Sequence, residues 1–378
     1  MTIPVMKPWF GPEEAEAAAE AVASGWVAQG PRVAAFEKAF AALMGGGEAV
    51  AVSSCTTGLH LALHLHGVGP GDEVVVPSLS FIATANAVRY TGATPVFADV
   101  DPATLNVTAE TVARVQTRRT RLVLVVHQAG TPADLGPIHK LAAAEGWSVV
   151  EDAACAIGAR VGGQLVGTGS ELAAFSFHPR KLVTTGEGGM LLTSQEQWAA
   201  RARRLREHGM SVSASERHAG TAPVLEGYLE VGFNYRMTDV QAAIGLVQLG
   251  RLDAMVARRR ELAERYQRLL ADVAGLTMAA DPPYGTSNFQ SFWVCLPEDF
   301  PVDRDRLLAL MLAEGIAARR GIMAAHLEPA YAGHPHDALP ATEAMTRRSL
   351  VLPLFHELTH SEQDHVIAVL RRAAGLER

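Results

Sequence analysis

The chain has 378 residues, 48% hydrophobic and 19% charged, enough apolar mass for one large or two ordinary packed domains and too much for a disordered chain. Its 34 glycines and 20 prolines fall far below the roughly 25–30% of low-complexity sequence, and Cys55, Cys155 and Cys295 are spaced too widely for a CxxC redox or zinc motif, so a reducing compartment is expected. With 33 basic against 40 acidic residues the net charge is -7, which provides no overall positive field for nucleic acid or an anionic membrane.

The first residues carry Pro4 and acids from Glu13 onward, with no apolar run of signal-peptide length. The purest apolar run, 122–126, is far short of the ~20 residues a bilayer span requires, so a cytoplasmic location is expected. A Gly-Pro start and a Ser24-Gly25 stop predict a helix over 13–24. Val33, Phe36, Phe40 and Leu43 recur at helical spacing, and Gly45-Gly46-Gly47 closes that second helix. Strand-like runs at 49–52, 73–76, 94–98, 121–127 and 147–151 then alternate with helical stretches at 57–66, 82–90, 109–115 and 135–145. The alternation predicts an α/β fold with a mostly parallel central sheet flanked by helices, which binds its ligand at the strands' carboxyl ends. Further strands are expected at 175–177 and 189–193, a mobile loop over 211–226, and one long helix from 238 to about 274. The large domain is expected over 1–245 and a smaller C-terminal α/β domain over 246–378.

Two nucleotide motifs fail on context. Gly67, Gly69 and Gly71 follow a helix and precede a strand, the reverse of a dinucleotide fingerprint, and Gly186-Glu187-Gly188-Gly189 lacks the Gly-Lys-Ser/Thr of a P-loop. A different phosphate cradle is better placed. The strand at 49–52 runs into Ser53-Ser54-Cys55-Thr56-Thr57-Gly58 and a helix, where amide N–H groups and hydroxyls converge on a positive helix end. A Ser/Thr cap without ligand is the plainer reading of that segment alone. Glu151-Asp152 puts carboxylates at the end of an apolar strand, costly unless they meet a cation such as a protonated ring nitrogen; capping the next segment is the plainer alternative. The run 174–181 reads as a strand ending in Lys181 and precedes the glycine-rich 184–189 stretch, where a desolvated amine can join an aldehyde and glycines would let a ring lie on the main chain.

Phosphate cradle, carboxylate and lysine together are the three handles of pyridoxal 5'-phosphate (PLP). With Ser24-Gly25-Trp26, Gln29-Gly30-Pro31, Gly71-Asp72-Glu73-Val74, Pro77-Ser78, 97–101, 151–154, 176–189 and 232–239, the chain resembles the PLP-dependent sugar aminotransferases of the DegT/DnrJ/StrS type, with the aspartate-aminotransferase fold. The resemblance implies that Lys181 joins the cofactor aldehyde and Asp152 pairs with the ring nitrogen. It implies that Thr56, Thr57 and Ser176 hold the phosphate and Phe81 stacks on the ring. It also implies that Asn234 reaches the phosphate of the neighbouring subunit in a homodimer with composite sites. His326 resembles a substrate-side histidine, and Arg236 is a second candidate for the substrate. Where the family has Gln or His near the cofactor's phenolic oxygen this chain has Cys155, read either as a packing change or as a retuned cofactor.

The implied reaction moves an amino group from glutamate to a nucleotide-linked keto-deoxysugar. An aminotransferase for a cyclitol or other non-nucleotide ketone stays open. A PLP-dependent sugar dehydratase is disfavoured because Lys181 stands where those enzymes carry histidine. A PLP-sensing regulator is disfavoured by the acidic chain and the lack of a helix-turn-helix. His60 and His64 are read as helix packing rather than a metal pair, 334–337 as a solvated loop, and 201–206 as a solvated basic helical face.

Overall fold

A computed structural model describes residues 2–212 and 225–376; the loop expected over 211–226 lies mostly outside the described residues. Gly11 and Gly30 precede prolines that open α1 (Pro12–Ala23) and α2 (Pro31–Leu43). Strands and helices then alternate through β1 (Glu48–Val52), α3 (Cys55–Leu65), β2 (Glu73–Pro77), α4 (Ala83–Tyr90), β3 (Thr94–Ala98), α5 (Ala109–Val115), β4 (Thr120–Val126), α6 (Leu135–Glu145) and β5 (Ser148–Asp152). Two short strands, β6 (Arg160–Val161) and β7 (Gln164–Leu165), precede β8 (Leu172–Ser176), β9 (Gly189–Thr193) and α7 (Glu196–Leu205).

Seven of these strands form one sheet in the order β1-β9-β8-β5-β4-β2-β3. β9 runs antiparallel to both β1 and β8, and the other pairs are parallel. The pleat explains the continuous apolar runs: Leu122 and Leu124 of β4 pack with α3 and α4 on one face, while Val123 and Val125 join the core on the other.

The single helix expected from 238 is two, α8 (Asp239–Gly250) and α9 (Leu252–Leu269), inclined at 58°. Gly250 ends the first, and the Arg251 guanidinium is held by Glu13 at 2.6 Å and Glu14 at 3.2 Å, so the chain turns where it meets α1. Among the described residues no single helix is long and apolar enough to cross a membrane. Beyond α9 come β10 (Thr277–Met278), β11 (Gly285–Thr286), β12 (Phe292–Cys295), α10 (Arg304–Ala313), β13 (Arg319–Arg320), α11 (Pro340–Arg348), β14 (Ser349–Leu352) and α12 (His360–Ala373). A four-stranded antiparallel sheet in the order β10-β12-β14-β13 organises this smaller part, and β11 pairs with β6.

The basic stretch 201–206 is paired rather than solvated. Arg201 and Arg204 meet Glu230, Arg203 meets Glu48 at 2.8 Å, and the buried Arg206 bonds Glu37. The 334–337 loop is likewise more anchored than expected, since His334 Nε2 lies 2.7 Å from the Pro95 carbonyl.

One interaction explains why two distant sequence motifs occur together. The fully buried Asp239 carboxylate accepts from the Arg32 N–H at 3.0 Å and the Val33 N–H at 2.9 Å, capping α2 from the start of α8. A Cβ on Gly30 would come within 2.9 Å of that carboxylate, so this approach requires glycine. Replacing Asp239 with Ala should destabilise the protein by about 2–3 kcal/mol, the scale of a buried charged cap, and Asp239→Asn by less because one acceptor remains. Urea unfolding of the three proteins checks the order.

Candidate active site

The register of the large sheet assembles the site at one edge. Val52 pairs with Gly189, which also pairs with Ser176, so the β1–α3 turn, the start of β9 and the end of β8 lie side by side. At the turn, Ser54 Oγ accepts from the Thr57 N–H at 3.2 Å, leaving the Cys55 and Thr56 amides of the first turn without an intrahelical acceptor. Thr56 and Thr57 are both half-buried, and Thr57 Oγ1 lies 3.2 Å from Ser53 Oγ. Helix α3 begins at Cys55, so the two threonines belong to its first turn. Ser176 ends β8 and its Oγ accepts from the His178 N–H at 3.4 Å.

Asp152 ends β5 and is 4% exposed. One carboxylate oxygen accepts from Thr84 Oγ1 at 2.9 Å and the other from the Ala154 N–H at 3.1 Å. Burial pushes this carboxyl above its ordinary value, against the pull of those donors and of the Lys181 charge. Glu151 points the other way, where His127 Nε2 at 3.0 Å and Ser170 satisfy it. The His127 Nδ1 accepts from the Ala133 N–H at 3.0 Å, which leaves its Nε2 proton for Glu151.

Lys181 is not at the strand end. It lies in the turn after β8, five residues beyond Ser176, with its N–H bonded to the His178 carbonyl at 2.8 Å. Its Nζ donates to Cys155 Sγ at 3.0 Å. Burial lowers the lysine pKa, but the facing Cys155 sulfur, then Cys55 and Asp152, outweigh it and hold the ammonium above its ordinary value. Burial and the nearby Asp152 push the Cys55 thiol well above its own.

The glycines after Lys181 do something other than expected. A Cβ on Gly189 would come within 2.5–2.7 Å of the Ser54–Cys55 backbone, and one on Gly188 within 2.4 Å of Thr185 Oγ1. Protein atoms fill the space a ring was expected to use, and the glycines let β9 close against the start of α3. Phe81, on the loop between β2 and α4, is 64% exposed. His326 is buried, with Nδ1 at 2.6 Å from Ser78 Oγ and Nε2 at 3.8 Å from Glu343; burial, then His336, lowers its pKa. The His326 segment thus docks on the loop that carries Phe81.

Asn234 is exposed and Arg236 half-buried; between them the Tyr235 carbonyl accepts from the Ser53 N–H at 2.8 Å. The Tyr235 hydroxyl lies 2.8 Å from His60 Nδ1, so His60 is a packing residue, and among the described residues no three metal-binding side chains cluster.

Three contributors were missed by sequence reasoning. Thr84 supports Asp152, Ser80 Oγ meets the Thr84 hydroxyl at 2.8 Å, and Gln290 bonds the main chain on both sides of Lys181. Thr84 and Gln290 act on residues far away in the chain, so no local spacing signals them, and Ser80 works through its near neighbour Thr84.

The donor set fits PLP. A buried carboxylate with donors on both oxygens, an amine 3.0 Å from the Cys155 sulfur and a capped helix start with spare amides are the partners for a pyridinium, an aldehyde and a phosphate.

A sequence profile of the DegT/DnrJ/EryC1/StrS aminotransferase family matches residues 9–371. Among solved structures, the chain is similar to the aminotransferase TlmJ from Streptoalloteichus hindustanus, at 40% identity and a TM-score of 0.90, with 99% of each chain covered. It is similar to DesV from S. venezuelae at 34% identity and a TM-score of 0.90, covering 99% of this chain and 98% of that one. It is also similar to DesI, solved in the presence of its TDP-sugar product, at 33% identity and a TM-score of 0.89, covering 100% of this chain and 95% of that one.

Because the Cys155 sulfur favours the ammonium form of Lys181, Cys155→Ala should lower the lysine pKa and make the free amine available at lower pH. Cofactor-free variant mixed with PLP should therefore take it up at lower pH than the native protein, as followed by absorbance across a pH series. Superimposable profiles would leave the thiol as a packing residue.

Proposed function

The chain belongs to the DegT/DnrJ/EryC1/StrS aminotransferase family of PLP-dependent sugar aminotransferases, and from that premise we propose that it moves an amino group from glutamate to a nucleotide-linked keto-deoxysugar. The observation that carries the reading is the pairing of a buried Asp152, held by two donors, with Lys181 at the same edge of the sheet. The nucleotide-linked substrate is supported by the similarity to DesI, which binds a TDP-sugar product.

PLP, when bound, supplies an aldehyde for amines and a ring that draws electrons from a breaking C–H bond. Asp152 keeps the ring nitrogen protonated, and Thr84 and the Ala154 amide orient its carboxylate for that task. Lys181 would hold the cofactor through its aldehyde, and its Nζ, when free, would take a proton from the donor's Cα and return it. Thr56, Thr57 and Ser176, with the first-turn amides of α3, bind the phosphate. Phe81 covers the ring, and His326 and Arg236 face the substrate.

The enzyme acts as a homodimer in which Asn234 completes the phosphate site of the partner. Support comes from exposure: Asn234 stands free of the core, and Tyr90, Tyr228, Leu229 and Val231 are each more than half exposed, apolar surface that a second copy would cover.

Glutamate added to the loaded enzyme should bleach the cofactor's visible band as the amino form accumulates. Asp152→Asn should keep the cofactor and slow this change by on the order of a hundredfold, as when one electrostatic stabiliser is removed. A band that ignores glutamate overturns the donor assignment.

Composite sites make a separate expectation. Lys181→Ala and Asn234→Ala homodimers should each be impaired in both sites. A purified heterodimer of the two gathers both defects into one site and leaves the other native, so it should recover about half the wild-type activity. Activity equal to the mean of the two parents would place Asn234 within its own subunit.

A further inference from the structure

A cavity of about 160 Å³ opens between the Lys181 segment, the extended residues 5–6 and the edge of the C-terminal sheet. Its charged lining is of one sign: Arg180, Arg319 and Arg320, with no carboxylate among the lining residues. Arg320 meets Glu328 at 3.3 Å, whereas Arg180 and Arg319 form no ion pair among the described residues. Arg319 and Arg320 make up β13, the edge strand of the C-terminal sheet.

The cavity is fastened to the reactive lysine. Gln290, which lines it, accepts from the Leu182 N–H at 3.0 Å and donates to the Arg180 carbonyl at 2.6 Å, clamping the main chain on either side of Lys181. Arg180, which lines the cavity, is the chain neighbour of Lys181, whose own side chain turns to Cys155.

A fourth cation lies behind the wall. Arg259 is 3% exposed and donates to the Phe289 carbonyl at 3.1 Å, the Gln290 carbonyl at 3.0 Å and Met6 Sδ at 2.8 Å, with no carboxylate partner among the described residues. Met6 and Gln290 both line the cavity. Burial alone pulls this guanidinium down to about 9. A buried cation without a counter-charge is costly, and an anion entering the cavity would offset that cost.

We propose that this cavity is the subsite for the anionic end of a substrate that reacts at Lys181, an oxyanion held by Arg180 and Arg319. The oxyanion is either the carboxylate end of the amino donor or the diphosphate of the nucleotide sugar. This rests on the aminotransferase reading above and adds the residues that select the charged group.

Calorimetric titration of the loaded enzyme with glutarate, an unreactive dicarboxylate, and separately with thymidine diphosphate distinguishes the two sources. Loss of one charge-assisted pair should weaken the relevant probe by on the order of tenfold or more in Arg319→Ala, and further in the Arg180→Ala/Arg319→Ala double variant. Arg319→Lys should recover part of the loss. Weakened glutarate assigns the cavity to the donor, and the glutamate half-reaction should then need more glutamate at an unchanged maximal rate. Weakened diphosphate assigns it to the sugar nucleotide. If wild type binds neither probe, or the variants bind both as tightly as wild type, the subsite is overturned. A wild-type band that ignores glutamate while either probe still depends on Arg319 sinks the donor assignment and leaves the subsite standing.

Discussion

A carboxylate at the end of an interior strand must find donors, and the surroundings of Asp152 are built to that requirement. β5 sits at the middle of the seven-stranded sheet, separated from β2 by β4. The chain leaving β2 must therefore cross β4 before Thr84, in the first turn of α4, can place its hydroxyl on the carboxylate. Ser80, in the same crossing, fixes that hydroxyl in turn. The pleat sends Glu151 to the opposite face, where a separate histidine and serine serve it. Two adjacent acids thus become one structural anchor and one group facing the site. The crossing that supports Asp152 also sets where Phe81 projects and where the His326 segment docks, through Ser78.

Similar long-range contacts hold the outer layers in place. Asp239 caps α2 from the far side of the chain, and Asp99, at the end of β3, accepts from the Ala341 and Thr342 N–H groups at 3.0 and 2.7 Å to cap α11. Each carboxylate lies beyond the C-terminal end of one element or at the start of another and finds the positive end of a helix. These caps tie the C-terminal segment to the large sheet without a continuous linker having to be rigid. They also explain why acidic residues in short motifs, far apart in sequence, mark the fold as strongly as the apolar runs do.

The alternation of strands and helices was legible because each apolar run carries its own period, and strand boundaries such as 94–98 and 189–193 coincide with the observed elements. The Ser/Thr start of α3 and the Asp152 strand end were legible for a related reason: cap residues and strand ends are local. What was not legible depends on partners elsewhere. The break at Arg251 follows from Glu13 and Glu14, more than two hundred residues away, and the arginines of 201–206 are satisfied by Glu37, Glu48 and Glu230 rather than by water. Glycines 188 and 189 carried the right signal, close approach, but it is α3 and Thr185 that approach them. Cys155 could be read as a packing change or as a retuned cofactor, and what the sequence did not signal is that Lys181 lies against its sulfur.

Net charge is a poor guide to a site of this size. The chain is acidic by seven charges, yet charges farther away than about 8 Å are largely screened at physiological ionic strength, so a substrate meets only the local balance. Much of the acid is consumed locally: Glu37, Glu48 and Glu230 each hold arginines of α7 and its cap, and Glu13 and Glu14 hold Arg251. Beside Lys181 the balance reverses, because Arg180 and Arg319 have no such partner among the described residues and Arg259 is buried behind them bonded only to carbonyls and a sulfur. An overall negative charge that disfavours nucleic acid is therefore compatible with a small oxyanion bound tightly at one point. The same separation of scales lets an acidic, self-repelling surface coexist with a local cluster of arginines.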